Sequence, residues 1–271
     1  MIRKPKFAGT WYPDEKEKAK KYLIEISDEG KLDVIGCICP HAGWMYSGKI
    51  AGEVYSKIKP ADVYILLGPN HTGLGEIISV FSEGSWETPF GNVKINKEIA
   101  ELIIKNSEFA QADTKAHQNE HSLEVQLPFL QLISKSDFSI VPITIRLEDY
   151  HMCQDLGNAV STAINEYKKV HKDKKVILIA STDMTHYEPQ SYAYKLDTLA
   201  VEQILKLSPK GLFDTVLSYG ITMCGVYPTV SMLIAAKHLG AKNAKLIKYA
   251  TSGDVSGEYD SVVGYAGIVV Y

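Results

Sequence analysis

Arginine is scarce in this chain: Arg3 and Arg146 are the only two among its 29 lysine and arginine residues. A guanidinium fork is the usual means of gripping a phosphate at two points, so paired arginine clamps are not expected to be the main device of this protein. The formal net charge of −3 also gives no strong positive field for a polyanion. We therefore expect no nucleic acid partner.

Long hydrophobic runs are missing as well. The longest, such as Val176–Ala180, are far shorter than the roughly 20 apolar residues that a membrane-spanning helix needs. The stretch Met1–Lys6 lacks the apolar segment of a signal peptide. These absences predict a cytoplasmic protein without a membrane partner.

Several motifs that would define a function are absent. The sequence has no Cys-x-x-Cys pair of the zinc type, no Gly-rich phosphate loop followed by Lys-Ser/Thr, and no Gly-x-Gly-x-x-Gly after a strand. It also lacks Gly-x-Ser-x-Gly, which weakens a serine hydrolase hypothesis. Cys37 and Cys39 share one face of a predicted strand but cannot easily bond to each other, so we expect reduced thiols.

Apolar runs alternate with helical patterns along the chain. Predicted strands span residues 33–39, 62–68, 76–82, 138–145, 175–181, 244–250 and 261–270. Predicted helices span residues 14–27, 48–58, 96–107, 121–134, 151–168, 191–206, 209–218 and 227–239. The alternation predicts an α/β protein, a three-layer α/β/α sandwich around a mostly parallel, mixed β-sheet. The strand at 76–82 and the last strand are expected to run antiparallel, and one domain over residues 1–271 is the simplest arrangement.

Two histidines follow successive predicted strands. His41 ends the run that begins at Val34, and His71 follows the run that begins at Val63. Their separation is close to the ~30 residues of one βαβ unit, so both imidazoles should meet at the edge of a parallel sheet where ligands bind. A single such histidine would more often bond a loop carbonyl. The matched pair predicts a metal site.

Four further residues could contribute to chemistry at this edge. Cys224 lies at the start of the predicted helix 227–239, just before its first residue, where a thiolate is favoured and can act as a nucleophile or a soft metal ligand. A small buried core residue is the simpler alternative. Asp183 and His186 lie three positions apart in a turn or helical start, so they can face one pocket as an acid–base pair. A capping Asp beside an exposed His is an equal alternative. His121 can point into the pocket or lie at the surface.

Taken together, several segments resemble the Memo family, whose prokaryotic members are also called AmmeMemoRadiSam system protein B. They occur in the family's order from residue 8 to residue 225, and Tyr265–Gly267 fits as well. The segments are Ala8–Pro13, Pro40–Gly43, Gly68–His71, Glu120–Ser122, Ser181–His186 and Met223–Gly225.

The resemblance implies a fold similar to the class III extradiol ring-cleaving dioxygenases, which hold non-haem Fe(II) with two histidines and a glutamate. His41 and His71 would be the imidazole ligands, and Cys224 would stand where those enzymes use a carboxylate. His186 would match their catalytic histidine, with Asp183 beside it. Fe(II) is the first expectation for the metal, and the softer His₂Cys set also suits copper or zinc.

The resemblance also implies partners. Eukaryotic relatives bind phosphotyrosine-containing peptides, and Trp11 matches a tryptophan among their contacts. We expect Trp44, Tyr46, Asn70 and His121 to join Trp11 in lining a pocket or partner surface that receives a small molecule or a peptide. The family name suggests a radical SAM protein acting on the same pathway.

These observations leave three functional hypotheses. The first is a metal-binding protein with a mononuclear non-haem iron or copper site and redox or oxygenase-type activity. In that case His41, His71 and Cys224 bind the ion, and Asp183 and His186 move protons. The second is a non-catalytic protein that keeps a dioxygenase-like cleft for a peptide or another partner. The third is a cysteine hydrolase that uses Cys224 with a nearby histidine.

Overall fold

The computed structural model describes residues 1–146 and 149–271, and within them the chain forms twelve strands and nine α-helices. The strands are β1 (Ile2–Arg3), β2 (Gly36–Cys39), β3 (Val63–Pro69), β4 (Ile78–Val80), β5 (Ser85–Thr88), β6 (Gly91–Ile95), β7 (Ala110–Ala112), β8 (Ser139–Ile145), β9 (Val176–Ser181), β10 (His186–Glu188), β11 (Ala244–Thr251) and β12 (Val262–Val270). The α-helices are α1 (Lys16–Lys20), α2 (Trp44–Lys57), α3 (Lys97–Asn106), α4 (Leu127–Ile133), α5 (Tyr150–Val170), α6 (Gln190–Leu205), α7 (Pro209–Tyr219), α8 (Val226–His238) and α9 (Gly253–Ser256). Two 3-10 helices span Asp28–Gly30 and Glu124–Gln126.

The strands join in one mixed sheet with a parallel centre. The order along its main path is β1-β5-β6-β8-β3-β9-β2-β12-β10, and β8, β3, β9 and β2 run parallel. β4 pairs antiparallel with β8, and β12 pairs antiparallel with β2. The predicted α/β fold, including the antiparallel direction of the 76–82 strand and of the last strand, is therefore confirmed.

Helices cover both faces of the sheet, as the continuous apolar strands predict. In β3, Ile65 and Leu67 face one core that includes α5 and α8, while Tyr64 and Leu66 face a second core that includes α2 and α4. This alternation gives the three layers of the predicted sandwich. In the described part of the chain, no helix combines the length and apolarity needed to cross a membrane.

The ends of the central strands lie level at one edge of the sheet. Cys39 pairs with Ser181, and Leu67 pairs with Ala180, so β2, β9 and β3 finish side by side. β9 lies between β2 and β3, and the rings of His41 and His71 are nevertheless close, with centroids 5.3 Å apart. The imidazoles meet across the end of β9, and this strand adds its own residues to the site.

All seven predicted strands exist, but several helix bounds differ. The first predicted helix, 14–27, is confined to Lys16–Lys20. Beyond it the backbone passes close over α2: the Tyr22 carbonyl oxygen lies 2.0 Å from the position that a Cβ on Gly52 would occupy. A 3-10 turn and then α4 replace the predicted helix 121–134, with Pro128 in the first turn of α4. The predicted polar loop 252–260 contains the short helix α9.

Candidate metal centre

Three strand ends and one helix start supply the candidate residues. His41 follows β2, His71 follows β3, and the segment Thr182–Thr185 follows β9. Cys224 and Gly225 directly precede α8. Gly225 allows this close approach, since a Cβ there would lie 2.4 Å from Thr182 Cβ. The chain thus brings these residues to the carboxyl edge of the parallel strands, where α/β proteins bind ligands.

His41 is held in one orientation by a buried hydrogen-bond network. Its Nδ1 lies 3.0 Å from Ser181 Oγ, which donates to the Ser122 carbonyl at 2.7 Å and accepts from Gln126 Nε2 at 2.8 Å. Because the hydroxyl proton is already committed, Nδ1 must donate, and Nε2 keeps its lone pair. Burial, followed by the nearby His71, lowers the pKa of His41 to about 3. The ring is therefore neutral at neutral pH, as metal binding requires.

Glu120 fixes His71. Its buried carboxylate accepts from His71 N at 2.6 Å, from His71 Nδ1 at 2.9 Å and from Ser122 N at 2.9 Å. Burial alone would raise the pKa of Glu120, but the hydrogen bond from the His71 side chain and the electrostatic interaction with that ring lower it to about 2. A carboxylate behind an imidazole orients the ring and increases its basicity, an arrangement common behind metal-binding histidines.

His121 completes a cluster of three imidazoles. Its ring stacks on His71 with centroids 4.6 Å apart, its Nδ1 lies 3.4 Å from Glu120 Oε1, and Trp11 packs against it at 4.2 Å. Burial and then His41 lower the pKa of His121 to about 3. One ring nitrogen from each of His41, His71 and His121 falls within 4.8 Å of the other two, a spacing that could hold a metal ion.

Cys224 approaches the same face from the helix side. Its Sγ lies 3.2 Å from His41 Nε2 and accepts from Asp183 N at 3.3 Å. Burial, and then the Asp183 carboxylate, raise the pKa of Cys224 above its usual range. Without a cation nearby the residue is a thiol. This opposes the expectation, drawn from its position at the start of a helix, that the thiolate is favoured there.

Asp183 and His186 both line the cavity next to this cluster. The Asp183 carboxylate accepts from His41 N at 2.8 Å and from Ala42 N at 3.3 Å, and burial raises its pKa. His186 begins β10 rather than lying in a turn or helical start. Its Nδ1 lies 2.8 Å from the carbonyl of Thr222. Nδ1 therefore donates, and Nε2 is left as an acceptor.

The cavity has a volume of about 620 Å³. His41, His71 and His121 lie in its lining, and none of the residues lining it is a lysine or an arginine. Its aromatic side chains are Trp11, Tyr46, Tyr187 and Tyr265, and its other polar side chains include Ser252, Ser256, Glu258 and Ser261. The predicted pocket residues Trp11, Tyr46 and His121 all lie here.

Trp44 and Asn70 are not among the described residues that line this cavity. Trp44 is 2% exposed; it stacks on Phe129 at 3.6 Å, and its Nε1 donates to the Val125 carbonyl. Trp44 is the first residue of α2, which directs its side chain into the second core. The Asn70 side chain accepts from Thr72 N and donates to the Leu74 carbonyl. It closes the loop after His71 and does not face the cavity.

A buried carboxylate also anchors the N-terminal segment that carries Trp11. Glu124 binds Arg3 at 2.6 Å and accepts from the backbone N of Lys6 and Phe7 and from the Tyr12 hydroxyl. Sequence reasoning passed over Glu120 and Glu124. Their one signal was the presence of two acidic residues around His121 just before the apolar run that begins at Leu127, a pattern that also fits an exposed helix start.

The fold and this imidazole cluster define an α/β sandwich with a candidate metal site at the carboxyl edge of its sheet. An uncharacterized protein from Escherichia coli K12 shares the fold, with a TM-score of 0.59 at 11% sequence identity, over 86% of this chain and 98% of that one. The similarity extends to the fold alone.

The sequence comparisons are more specific. The family model described as Memo-like protein matches residues 3–269. MEMO1 family proteins of Methanopyrus kandleri, Methanosarcina mazei and Aquifex aeolicus are 38%, 41% and 41% identical to this chain. Each alignment covers 99% of this chain and at least 98% of the relative. The chain belongs to the Memo family.

Proposed function

We propose that this chain is a metal-binding protein whose mononuclear site uses His41, His71 and Cys224 and supports redox or oxygenase-type chemistry. The observation that carries the proposal is the set of fixed ring orientations. Nδ1 of His41 and Nδ1 of His71 are each committed to a buried acceptor. Their Nε2 atoms remain as lone-pair donors, and Cys224 Sγ lies 3.2 Å from Nε2 of His41.

The donor chemistry fits a transition metal. Two neutral imidazoles and a sulfur suit Fe(II), copper and zinc better than Mg²⁺ or Ca²⁺, which prefer oxygen ligands. Fe(II) is our first choice because the resemblance to the Memo family implies a fold similar to that of the non-haem iron dioxygenases, with copper or zinc as alternatives. A bound redox-active ion would supply the electrons or the Lewis acidity for oxygen chemistry.

The surrounding residues would bind, orient and exchange protons. Asp183 is buried beside the cavity, where burial raises the pKa of its carboxyl group, and we assign it a part in proton exchange. His186 has Nε2 free to accept one, because Nδ1 donates to the carbonyl of Thr222. The face of Trp11 and the ring of Tyr46 in the cavity wall give a flat organic ligand surfaces against which to pack.

Elemental analysis after anaerobic purification tests the metal assignment. We expect close to one iron per chain and its loss in the His41→Ala/His71→Ala variant. A matched control, His151→Ala/His238→Ala, removes two exposed imidazoles outside the cavity and should retain the metal. Equal metal content in all three proteins would refute the site. Oxygen consumption with catechols then tests catalysis.

A second candidate is a non-catalytic protein that receives a peptide or small molecule in the same cavity. The exposed aromatic side chains at its mouth favour this alternative, Tyr187 above all because it is 77% exposed. Bound metal without oxygen consumption, together with ligand binding in the cavity, would support it. The cysteine hydrolase is disfavoured, because burial raises the pKa of Cys224 and a thiol is a poor nucleophile.

A further inference from the structure

A second groove lies directly behind one wall of the metal cavity. Residues 252–261 form this wall, which we call the ridge. Ser252, Ser256, Glu258 and Ser261 face the metal cavity. Asp254, Tyr259 and Asp260 face a groove of about 870 Å³ that also includes residues from the start of α6. A ligand lying over the ridge could therefore occupy both spaces.

Hydrogen bonds at both ends of the ridge hold it in place. Ser252 Oγ accepts from Val263 N at 3.0 Å, and the Asp254 carboxylate accepts from Thr251 N at 2.7 Å. The Tyr259 carbonyl accepts from Gln190 N, at the first residue of α6, at 2.9 Å. Because these contacts lie within the chain itself, binding here would carry little ordering cost.

Tyrosine faces are exposed on and beside the ridge. Tyr194 is 58% exposed and Tyr259 is 51% exposed, and both line the groove. Tyr194 packs edge-on against Tyr249, with ring centroids 5.6 Å apart. Tyr187, at the mouth of the metal cavity, adds a third exposed ring. Clustered exposed aromatic surface is characteristic of binding sites.

The charge around these rings is acidic, although the chain as a whole is nearly balanced, with 29 basic and 32 acidic residues. The ridge contains Asp254, Glu258 and Asp260 and no lysine or arginine. Among the described residues that line the two spaces, Lys195 is the only lysine or arginine. Exposed tyrosine rings next to carboxylates attract ammonium and guanidinium groups through both cation–π and Coulomb interactions.

We propose that the ridge and its groove dock a lysine- or arginine-containing segment of a partner protein. The cationic side chains lie over Tyr194 and Tyr259 and reach Asp254 and Asp260, and the segment continues over the ridge towards the metal cavity. A polypeptide is the occupant because the recognition surface extends across the ridge from one space into the other, farther than a small amine can reach. Docking does not depend on a bound metal.

The test uses three fluorescently labelled peptides of equal length, with lysine and arginine, glutamate, or no charged residue at the same positions. Fluorescence anisotropy is measured on the full chain, as purified and after chelation. We expect the cationic peptide to bind at least about tenfold more tightly than the other two, and to weaken as salt screens the charges. Equal binding of all three peptides overturns the proposal.

Charge reversal locates the contact. Asp260→Lys should lower the affinity for the cationic peptide by about tenfold or more, because it places a like charge at the groove. Glu29→Lys makes the same change at an exposed residue that lines neither space and should have no effect. Tyr194→Ser is the second variant, because it removes a ring without touching the ridge backbone, and it should also weaken binding.

Three further results would refute the proposal. Equal weakening by Glu29→Lys and Asp260→Lys would show a general charge effect. Unchanged binding in both Asp260→Lys and Tyr194→Ser would place the peptide elsewhere. Arginine amide binding as tightly as the peptide would show a site for small cations. Because chelated protein is also measured, loss of the metal and loss of docking are distinguishable.

Discussion

His117 should make this protein sensitive to mild acid. The residue is completely buried, packed edge-on against Phe81 and Trp86, and its Nε2 lies 3.1 Å from the Ser79 carbonyl. Nε2 therefore carries the proton, and Nδ1 has no hydrogen-bond partner in the described chain. Burial, and then the Arg3 guanidinium, lower the pKa of His117 to about 3. Protonation of His117 would place a second positive charge near the Arg3 guanidinium.

The linkage gives the sign and the size of the effect. A histidine whose pKa is lowered by folding binds its proton more readily when unfolded, so its contribution to stability is complete above about pH 6.5 and is lost towards pH 3. With a folded pKa of about 3, His117 alone removes about 3 kcal/mol of unfolding free energy between about pH 7.5 and about pH 4.5.

The assay is denaturant unfolding of wild type and His117→Gln at both pH values. Glutamine keeps an N–H for the Ser79 carbonyl but cannot titrate. At neutral pH the variant should have a lower unfolding free energy than wild type. On acidification this difference should shrink or reverse by about 2 to 3 kcal/mol, because only the wild type loses stability through His117. His151→Gln, at an exposed position, is the control and should follow wild type. A deficit in His117→Gln that stays constant across the range would refute the reasoning.

Three other changes probe the site and its support. Glu120→Gln removes the charge behind His71 and should lower metal affinity by about 10- to 100-fold, measured by competition with a chelator, while far-ultraviolet circular dichroism stays unchanged. An unaltered affinity would contradict the assigned role of Glu120. Glu124→Gln leaves the Arg3 charge buried without its partner and should cost about 3 to 5 kcal/mol in denaturant unfolding; a loss below about 1 kcal/mol would show that the N-terminal segment is held by other contacts. Trp44→Ala, as a separate variant, should lower the unfolding free energy by about 3 to 5 kcal/mol, as expected for a buried aromatic side chain. A loss below about 1 kcal/mol, typical of a surface residue, would contradict its place in the core.

The sheet was predictable where local and global signals agree. β3, β8 and β9 are apolar runs buried on both faces, so a pattern read from one strand already implies helices on both sides. The short strands β5 and β6 escaped prediction. Their side chains alternate between buried and exposed over only four or five residues, and such segments are defined by their pairing and carry little signal of their own.

Only the site residues that directly follow strands could be predicted from the sequence. The positions of His41 and His71 follow from the βα alternation, and the fold brings both to one edge. His121 precedes a 3-10 turn, so neither a helical nor a strand periodicity in the sequence predicts where its side chain lies. It reaches the cluster because Glu120, buried and ionised, accepts from Ser122 N and from the neighbouring His71. That arrangement depends on a contact between residues 49 positions apart, which no local pattern can contain.

Trp44 lies in the second core for a related reason. It lies three residues after His41, and an aromatic ring so close to a candidate ligand suggests a binding surface. However, α2 begins at Trp44 itself, and the helix turns the ring onto Phe129 in the second core. Tyr46, two residues further on, lines the cavity instead. Two positions are about 200° of a helix, so the side of the helix, not the distance from His41, decides which aromatic residue a ligand meets.

The balance of charge limits what the cavity can receive. His41 and His121 are neutral, and burial raises the pKa values of both Asp183 and Cys224. Glu120, whose pKa is lowered to about 2, is bonded to His71 behind the donor face. Among the described residues that line the cavity there is no lysine or arginine. A divalent cation would make the strongest local field, so any anionic group of a ligand in this cavity would be oriented by the ion rather than by the protein.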